Sequence, residues 1–217
     1  MNNNNKFFIN GKWVEPNSNE TLSVINPATE EVICDISLGN QSDLDTAVAA
    51  ARDAFINYSK SSKEDRLNIL ERIILSYKKR MNDLSNAVTI EMGAPKTLSE
   101  KAQVPSGLGH FMQAKKILEN FSFEKEVNSS IVQKEPVGVC GLITPWNWPL
   151  NQIACKVAPA LAAGCTMILK PSEEAPLSAI ILAEIIEEAK LPDGVFNLIN
   201  GNGIELGVSM SKHPDID

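Results

Sequence analysis

The second half of the chain alternates short apolar segments with helical segments, and this alternation limits the fold more than any other feature of the sequence. Residues 137–144, 166–169 and 195–199 are short, apolar and rich in residues that favour strands. Residues 150–163 and 176–190, which separate them, have helical spacing. Strands joined through a helix run parallel, with a right-handed crossover. The sequence therefore predicts a parallel sheet with flanking helices, an architecture typical of nucleotide-binding proteins.

Three pairs of extended segments, each joined by a short turn, precede this region. Asn10-Gly11 lies between two short apolar segments, and this dipeptide tolerates the positive φ angles of a tight hairpin turn. A second extended pair flanks residues 26–29, and a third flanks Asn128-Ser129. Because each connection is short, we expect every pair to form an antiparallel hairpin.

Helical periodicity follows the second of these pairs. Ser42 with Asp45, and Ser62 with Asp65, have a spacing like that of a capping box, in which two side chains satisfy free amides at the start of a helix. We expect helices to begin at both places, and one or two more over residues 98–120. The expected fold class is α/β: an incomplete parallel Rossmann-like sheet with flanking helices, preceded by β-hairpins and helices of the same domain.

The charge balance and the residue usage exclude several classes of function. The 20 Lys and Arg residues are outnumbered by 27 Asp and Glu residues, whereas binding to nucleic acid or to an anionic membrane needs a basic face. No apolar run is long enough to span a bilayer, and the Asn-rich start lacks the pattern of a signal peptide, so we expect a cytoplasmic location. Two histidines and four cysteines without a C-x-x-C pair predict no metal site.

A rigid loop that could carry chemistry follows the first predicted parallel strand. It contains the run Pro145-Trp146-Asn147-Trp148-Pro149. The two prolines fix the backbone, so the Asn147 amide is held in a set direction, where it can stabilise negative charge that develops on an oxygen. On loop chemistry alone, an asparagine that satisfies backbone groups in a turn is the commoner case.

Two further candidate segments follow the second and third strands. Lys170, Ser172 and Glu173 come after the second strand, where ligands of parallel α/β folds bind and where a carboxylate can accept from two ribose hydroxyls. The alternative is a solvated lysine, with acidic residues that favour the next helix N-terminus. Gly203 and Gly207 belong to a G-x-G-x-x-x-G run, one residue longer than the usual dinucleotide fingerprint, which lets backbone approach a ligand.

These segments together resemble the NAD(P)-dependent aldehyde dehydrogenase superfamily. The resemblance rests on Pro-Trp-Asn-Trp-Pro, on Lys170-Pro171-Ser172-Glu173 and on residues 191–197, and it runs from about residue 7 to the last residue. It implies that Asn147 is the oxyanion-hole asparagine. It also implies a set of cofactor-binding residues: Ile143, Thr144, Pro145, Trp146, Lys170, Ser172, Glu173, Gly203 and Gly207. The implied cofactor is NAD, with NADP as the alternative, because a carboxylate at the ribose repels a 2′-phosphate.

The resemblance also implies an activity and a division of the chain. The activity is oxidation of a small-molecule aldehyde to a carboxylic acid. Residues 1–120 are expected to form the hairpins and helices of the cofactor-binding domain, and residues 137–217 its Rossmann-like segment. Residues 121–136 resemble the arm through which family subunits associate, which implies a homo-oligomer of the full-length form.

The nucleophilic cysteine and the glutamate base of the family lie C-terminal to the matched segment. We expect none of the four cysteines, which are Cys34, Cys140, Cys155 and Cys165, to replace that nucleophile, because a reactive thiol needs an exposed, electropositive setting. With only three parallel strands, we expect a chain truncated within a sheet and inactive alone. The alternatives are a non-catalytic product that binds a dinucleotide or a longer partner, and an acylating or acyl-phosphate-reducing relative.

Overall fold

The computed structural model describes residues 3–217, and its first elements are two antiparallel hairpins. Strands β1 (Phe7–Ile9) and β2 (Lys12–Val14) are joined by Asn10 and Gly11, which have φ angles of 52° and 72°. The predicted tight turn is therefore confirmed. Strands β3 (Thr21–Ile25) and β4 (Val32–Ser37) form a separate two-stranded sheet, also as predicted.

The helical region contains four long or medium helices and one short turn of helix. These are α1 (Gln41–Tyr58), α2 (Lys63–Lys79), α3 (Met81–Met92), α4 (Lys96–Leu98) and α5 (Val104–Asn120). A π-helical turn over Ser99–Gln103 joins α4 to α5, so the expected helix over residues 98–120 is one irregular helical run.

The predicted cap of the first helix is wrong by two residues. Asn40, rather than Ser42, is the N-cap, and its side chain accepts hydrogen bonds from the amides of Ser42 and Asp43. The Asp43 carboxylate completes the capping box on the Asn40 amide, so Asp45 has no part in it. The shift arises because Asp43 is buried and also accepts from Asn17, a contact that fixes where the helix begins. The second predicted capping box, at the start of α2, is confirmed.

The parallel sheet lies where the alternating pattern predicts it. Its strands are β7 (Val139–Ile143), β8 (Thr166–Lys170) and β9 (Phe196–Leu198), connected by α6 (Pro149–Ala163) and α7 (Leu177–Glu188). The strands β7, β8 and β9 are parallel neighbours. The sheet order is β2-β1-β9-β8-β7, so the N-terminal hairpin extends the sheet through an antiparallel pairing of Phe8 with Leu198. That pairing was not predicted from the sequence.

Both faces of this sheet are covered by helices, as a parallel sheet requires. All five residues of β8 are buried, and α7 is apolar and buried around most of its circumference. One core cluster joins the sheet to α2, α5, α6 and α7, and a second joins the opposite face to α1. Helix α7 packs against α2, α3 and α6.

The third hairpin stands apart from this core. Among the described residues 3–217, strands β5 (Glu124–Val127) and β6 (Ser130–Gln133) pair only with each other, and every residue of both strands is exposed. After β9 the chain forms a π-helical turn over Gly203–Gly207 and the short helix α8 (Val208–Lys212). Among residues 3–217, no helix is both long enough and apolar enough to cross a membrane.

Candidate functional site

The three candidate segments begin at one edge of the parallel sheet. The backbone amide of Thr144, just after β7, donates to the carbonyl of Lys170 at 3.2 Å. The amide of Ile199, just after β9, donates to the carbonyl of Leu169 at 3.0 Å. These bonds continue the ladder past the strand ends, so the segments that follow β7, β8 and β9 start as neighbours. This edge is where ligands of open α/β sheets bind.

Lys170 is buried and fully hydrogen-bonded. Only 2% of its surface is exposed, and its Nζ atom donates to the carbonyls of Pro171 at 3.0 Å and Gly201 at 2.6 Å. Its third partner is the Oε2 atom of Glu173 at 3.0 Å. An ammonium group has three N–H donors, so all of them are used within the protein. The alternative of a solvated lysine is therefore wrong.

Glu173 connects the second segment to the third. Its Oε1 atom accepts a hydrogen bond from the Gly203 amide at 3.0 Å, while its Oε2 atom accepts from Lys170. Burial by itself raises the pKa of Glu173, but hydrogen bonds from its own amide, from Lys170 and from Gly203 outweigh burial and hold the pKa below its ordinary value. The side chain is therefore a carboxylate at neutral pH, fixed at both oxygens.

The two predicted glycines leave open space beside this carboxylate. A Cβ atom built at Gly203 would lie 3.9 Å from the Glu173 Oε1 atom, and one at Gly207 would lie 3.7 Å from Lys170 Cε. Neither glycine has a positive φ angle. Neither the backbone conformation nor a contact among residues 3–217 demands glycine at these positions, and the missing side chains leave the backbone accessible.

The first segment supplies a buried hydroxyl and two exposed side chains. Thr144 is 4% exposed, and its hydroxyl is buried without a hydrogen-bond partner in the described part of the chain. Trp146 is 55% exposed and Asn147 is exposed as well. Within residues 3–217, no side-chain hydrogen bond joins Trp146 or Asn147 to Lys170 or Glu173. Hydrogen bonds therefore join Lys170, Glu173 and Gly203 into one unit. The first segment starts next to this unit because the Thr144 amide donates to the Lys170 carbonyl.

The remaining predicted residues lie at the same edge. Ser172 is half-buried, and its hydroxyl accepts from the Glu174 amide at 3.3 Å, so it shapes the turn after β8. Pro145 and Ile143 are exposed at the end of β7. Ile204, directly after Gly203, is a large apolar side chain that is 85% exposed at this edge and was not predicted from the sequence.

All four cysteines are at least partly buried. Cys34, Cys140 and Cys155 are half-buried, and Cys165 is buried. A hydrogen bond from Cys140 lowers the pKa of Cys165, but only 4% of Cys165 is exposed, which limits access to its thiol. Burial raises the pKa of Cys34. Residues 3–217 contain no cluster of three or more potential metal ligands among His, Cys, Asp and Glu.

An open sheet with three parallel strands, covered by helices on both faces, defines a protein of the α/β class. The sequence profile of the "Aldehyde dehydrogenase family" matches residues 13–217, and the chain belongs to that family. This result confirms the resemblance inferred from the motifs after the three parallel strands.

Individual relatives agree with this assignment. The chain is 52% identical over 213 residues to a "3-succinoylsemialdehyde-pyridine dehydrogenase" of a Pseudomonas species. The match covers 98% of the chain and 45% of the relative. Among solved structures, a mutant of aldehyde dehydrogenase C from Pseudomonas syringae, complexed with NAD⁺ and octanal, has a TM-score of 0.98 at 47% identity. That match covers 100% of the chain and 44% of the solved one.

A more distant structure gives the same fold. A betaine aldehyde dehydrogenase from Staphylococcus aureus, in complex with NAD⁺, has a TM-score of 0.93 at 36% identity and covers 99% of the chain. The chain spans less than half of the length of these relatives.

Proposed function

We propose that this chain binds NAD at the carboxyl edge of its parallel sheet and serves a protein that oxidises an aldehyde to a carboxylic acid. The observation that carries the proposal is the unit of Lys170, Glu173 and Gly203, in which a buried charge fixes a carboxylate beside a glycine turn. The family assignment and the NAD⁺ complexes of two similar structures support it.

The hydrogen bonds of Glu173 suggest how it would hold the adenosine ribose. A carboxylate has about four acceptor positions, and those of Glu173 accept from Lys170, from Gly203 and from its own amide. A position therefore stays open for a hydroxyl of the ribose diol. Because the donors of Lys170 are all used, we propose that Lys170 orients Glu173 and neutralises the site. A 2′-phosphate would be repelled by this carboxylate, which favours NAD over NADP.

The buried hydroxyl and the glycines support the fit of the cofactor. The free hydroxyl of Thr144 is an available partner at the end of β7. The space beside Gly203 and Gly207 admits a group against the backbone. Exposed Trp146 and Ile143 supply apolar surface in the first segment. The nicotinamide, when bound, accepts a hydride from the substrate.

Asn147 would supply the donor for the reaction itself. Its exposed amide lies two residues after Pro145 and can donate to an oxygen on which negative charge develops. Loss of such a donor typically lowers the rate by about 10²–10³-fold. A thiolate nucleophile and a carboxylate base are also needed. Since the cysteines of this chain are poorly placed for the first role, we propose that both lie elsewhere in the full-length enzyme and that residues 1–217 alone do not turn over aldehyde.

The exposed hairpin of β5 and β6 is the proposed subunit contact. An isolated two-stranded hairpin is marginally stable in water, and this one exposes 69% of Ile131 and 48% of Val132. Pairing with a second subunit would cover these side chains and the unpaired strand edges. The full-length protein is therefore expected to be a homo-oligomer.

Calorimetric titration of the purified chain with NAD tests the binding proposal. Glu173→Gln should weaken binding by about 10- to 100-fold, because hydrogen bonds to a charged group contribute about 1.5–3 kcal/mol. Its matched control is Glu174→Gln, which changes the exposed neighbouring carboxylate and should leave the dissociation constant within about twofold. Absence of NAD binding by the wild-type chain, or equal effects of the two substitutions, would contradict the proposal.

A further inference from the structure

The N-terminus of α7 is capped by a residue from a different helix. Glu91 lies in the last turn of α3, is 3% exposed, and accepts hydrogen bonds from the amides of Leu177 and Ser178. The bond from Ser178 is 3.1 Å long, and the two residues are 87 positions apart in the chain. The N-cap position itself is Pro176, which has no side-chain acceptor. Glu91 therefore supplies acceptor atoms to the first turn and, in its ionised form, a negative charge that matches the helix dipole.

The opposite end of α7 is held by cations from the same pair of helices. Arg72 donates to the carbonyl of Ala189 at 2.7 Å. Arg80, between α2 and α3, forms ion pairs with Glu184 at 2.9 Å and Glu188 at 3.0 Å. A negative group at the N-terminus and cations at the C-terminus both match the dipole of the helix. Helix α7 is thus fixed along its axis by residues 63–92.

The capped end of α7 is joined to the carboxylate of the proposed site by a short, rigid connection. Glu173 precedes Leu177 by only three intervening residues, and two of them, Ala175 and Pro176, are buried. The Ala175 amide donates to the Ser172 carbonyl at 3.2 Å, which closes a turn. Because a rigid connection transmits displacement, a shift of the α7 N-terminus would move Glu173 relative to Gly203.

Capping by Glu91 requires a carboxyl group to be buried between helices, and the loop before α7 offers no alternative cap. Burial raises the pKa of Glu91 to about 7, although the hydrogen bonds from Ser178 and Leu177 lower it. A capping residue within the loop would avoid burying a carboxylate between helices. The loop positions next to the helix are instead Ala175 and Pro176, which cannot cap, while Ser172 and Glu173 are committed to the turn and to the site.

We propose that Glu91 is a positioning residue that sets the place of Glu173, and so the affinity for the cofactor, by holding the N-terminus of α7. This inference rests on the proposed NAD site. It predicts that loss of the Glu91 charge lowers NAD affinity without any contact between Glu91 and the cofactor.

Titration with NAD and amide hydrogen exchange, on the same variants, test the inference. Glu91→Gln keeps the side-chain volume but presents an N–H group to one of the two amides, so the dissociation constant for NAD should rise by about tenfold at 25 °C. The control Glu188→Gln removes a carboxylate at the other end of α7 and should change the constant by less than about twofold. Exchange should accelerate at the amides of Leu177 and Ser178 only in the Glu91 variant.

The outcomes separate this inference from the proposed function. If the wild-type chain does not bind NAD, the proposed function fails. Amide exchange at residues 174–178 that is faster in the Glu91 variant than in wild type would still show that Glu91 holds the N-terminus of α7. A folded Glu91→Gln protein with wild-type affinity, or equal losses in both variants, overturns the positioning role. If Glu91→Gln does not fold, Glu91→Asp carries the test: it keeps the charge but is too short to reach both amides, and an unchanged affinity would again overturn the role.

Discussion

Gly164 ends α6 in a conformation and an environment that admit no side chain, so Gly164→Ala should be strongly destabilising. Its φ and ψ angles are 88° and 20°, in the left-handed region. A Cβ atom there would lie 2.5 Å from the guanidinium carbon of Arg66. Arg66 is 5% exposed and donates to the Ser61 hydroxyl at 2.8 Å and to the Ser59 carbonyl at 2.9 Å. The guanidinium has to move for alanine to fit.

The expected loss combines two contributions. A non-glycine residue in the left-handed region costs roughly 1–2 kcal/mol. Displacement of Arg66 that breaks one of its hydrogen bonds adds about 1.5–3 kcal/mol, because the donor is charged and buried. The free energy of unfolding should therefore fall by about 3–5 kcal/mol, which is a large part of the stability of a typical domain.

Urea unfolding followed by far-ultraviolet circular dichroism measures this loss. The matched control is Gly109→Ala in the interior of α5, where a Cβ atom would have nothing within 4 Å. That substitution should stabilise the chain by up to about 1 kcal/mol, because alanine is the better helix former. A Gly164→Ala protein within about 1 kcal/mol of the wild type would refute the reasoning, since the two contributions together are expected to exceed that amount.

Two further measurements address the caps of α7 and α1. Burial raises the pKa of Glu91 from 4.5 to about 7, so the folded chain binds this proton more tightly than the unfolded chain does. The Glu91 contribution to the free energy of unfolding should therefore decline by roughly 3 kcal/mol as the pH rises from about 4.5 to 7. Urea unfolding of wild type and Glu91→Gln at several pH values measures this decline. The difference between their free energies of unfolding should change with pH over this range, and a constant difference would contradict the prediction. Asn40→Ala should cost about 1 kcal/mol of stability by urea unfolding, and Ser42→Ala should cost much less; the opposite order would mean that Ser42 is the true cap of α1.

Features that depend on neighbours in the sequence were predicted well. The Asn10-Gly11 turn and the capping box at the start of α2 are local, because their hydrogen bonds and φ angles involve residues at most a few positions apart. The cap of α1 shows the limit of that reasoning. Asn40 and Ser42 are both acceptable N-caps, and the choice between them depends on Asp43, whose burial and contact with Asn17 are tertiary features.

The candidate site divides in the same way. The sequence predicted Lys170, Glu173 and Gly203 because they lie at the ends of two neighbouring parallel strands, β8 and β9, and strand ends of one sheet meet at one edge. It did not predict that Lys170 would be buried with all its donors used, because the carbonyl of Gly201 that completes its shell comes from a different loop. The roles of Asn147 and of the other site residues in binding remain predictions.

The sequence by itself determined the order of strands and helices, and through it the parallel sheet and the edge where the motifs meet, because hydrophobic periodicity and turn chemistry act over a few residues. Only the tertiary structure decided which distant groups complete these elements. The pairing of Phe8 with Leu198 and the capping of α7 by Glu91 join residues far apart in the chain. Such contacts depend on how helices and strands pack, since a buried polar group accepts whichever partner the packed core brings within hydrogen-bonding distance.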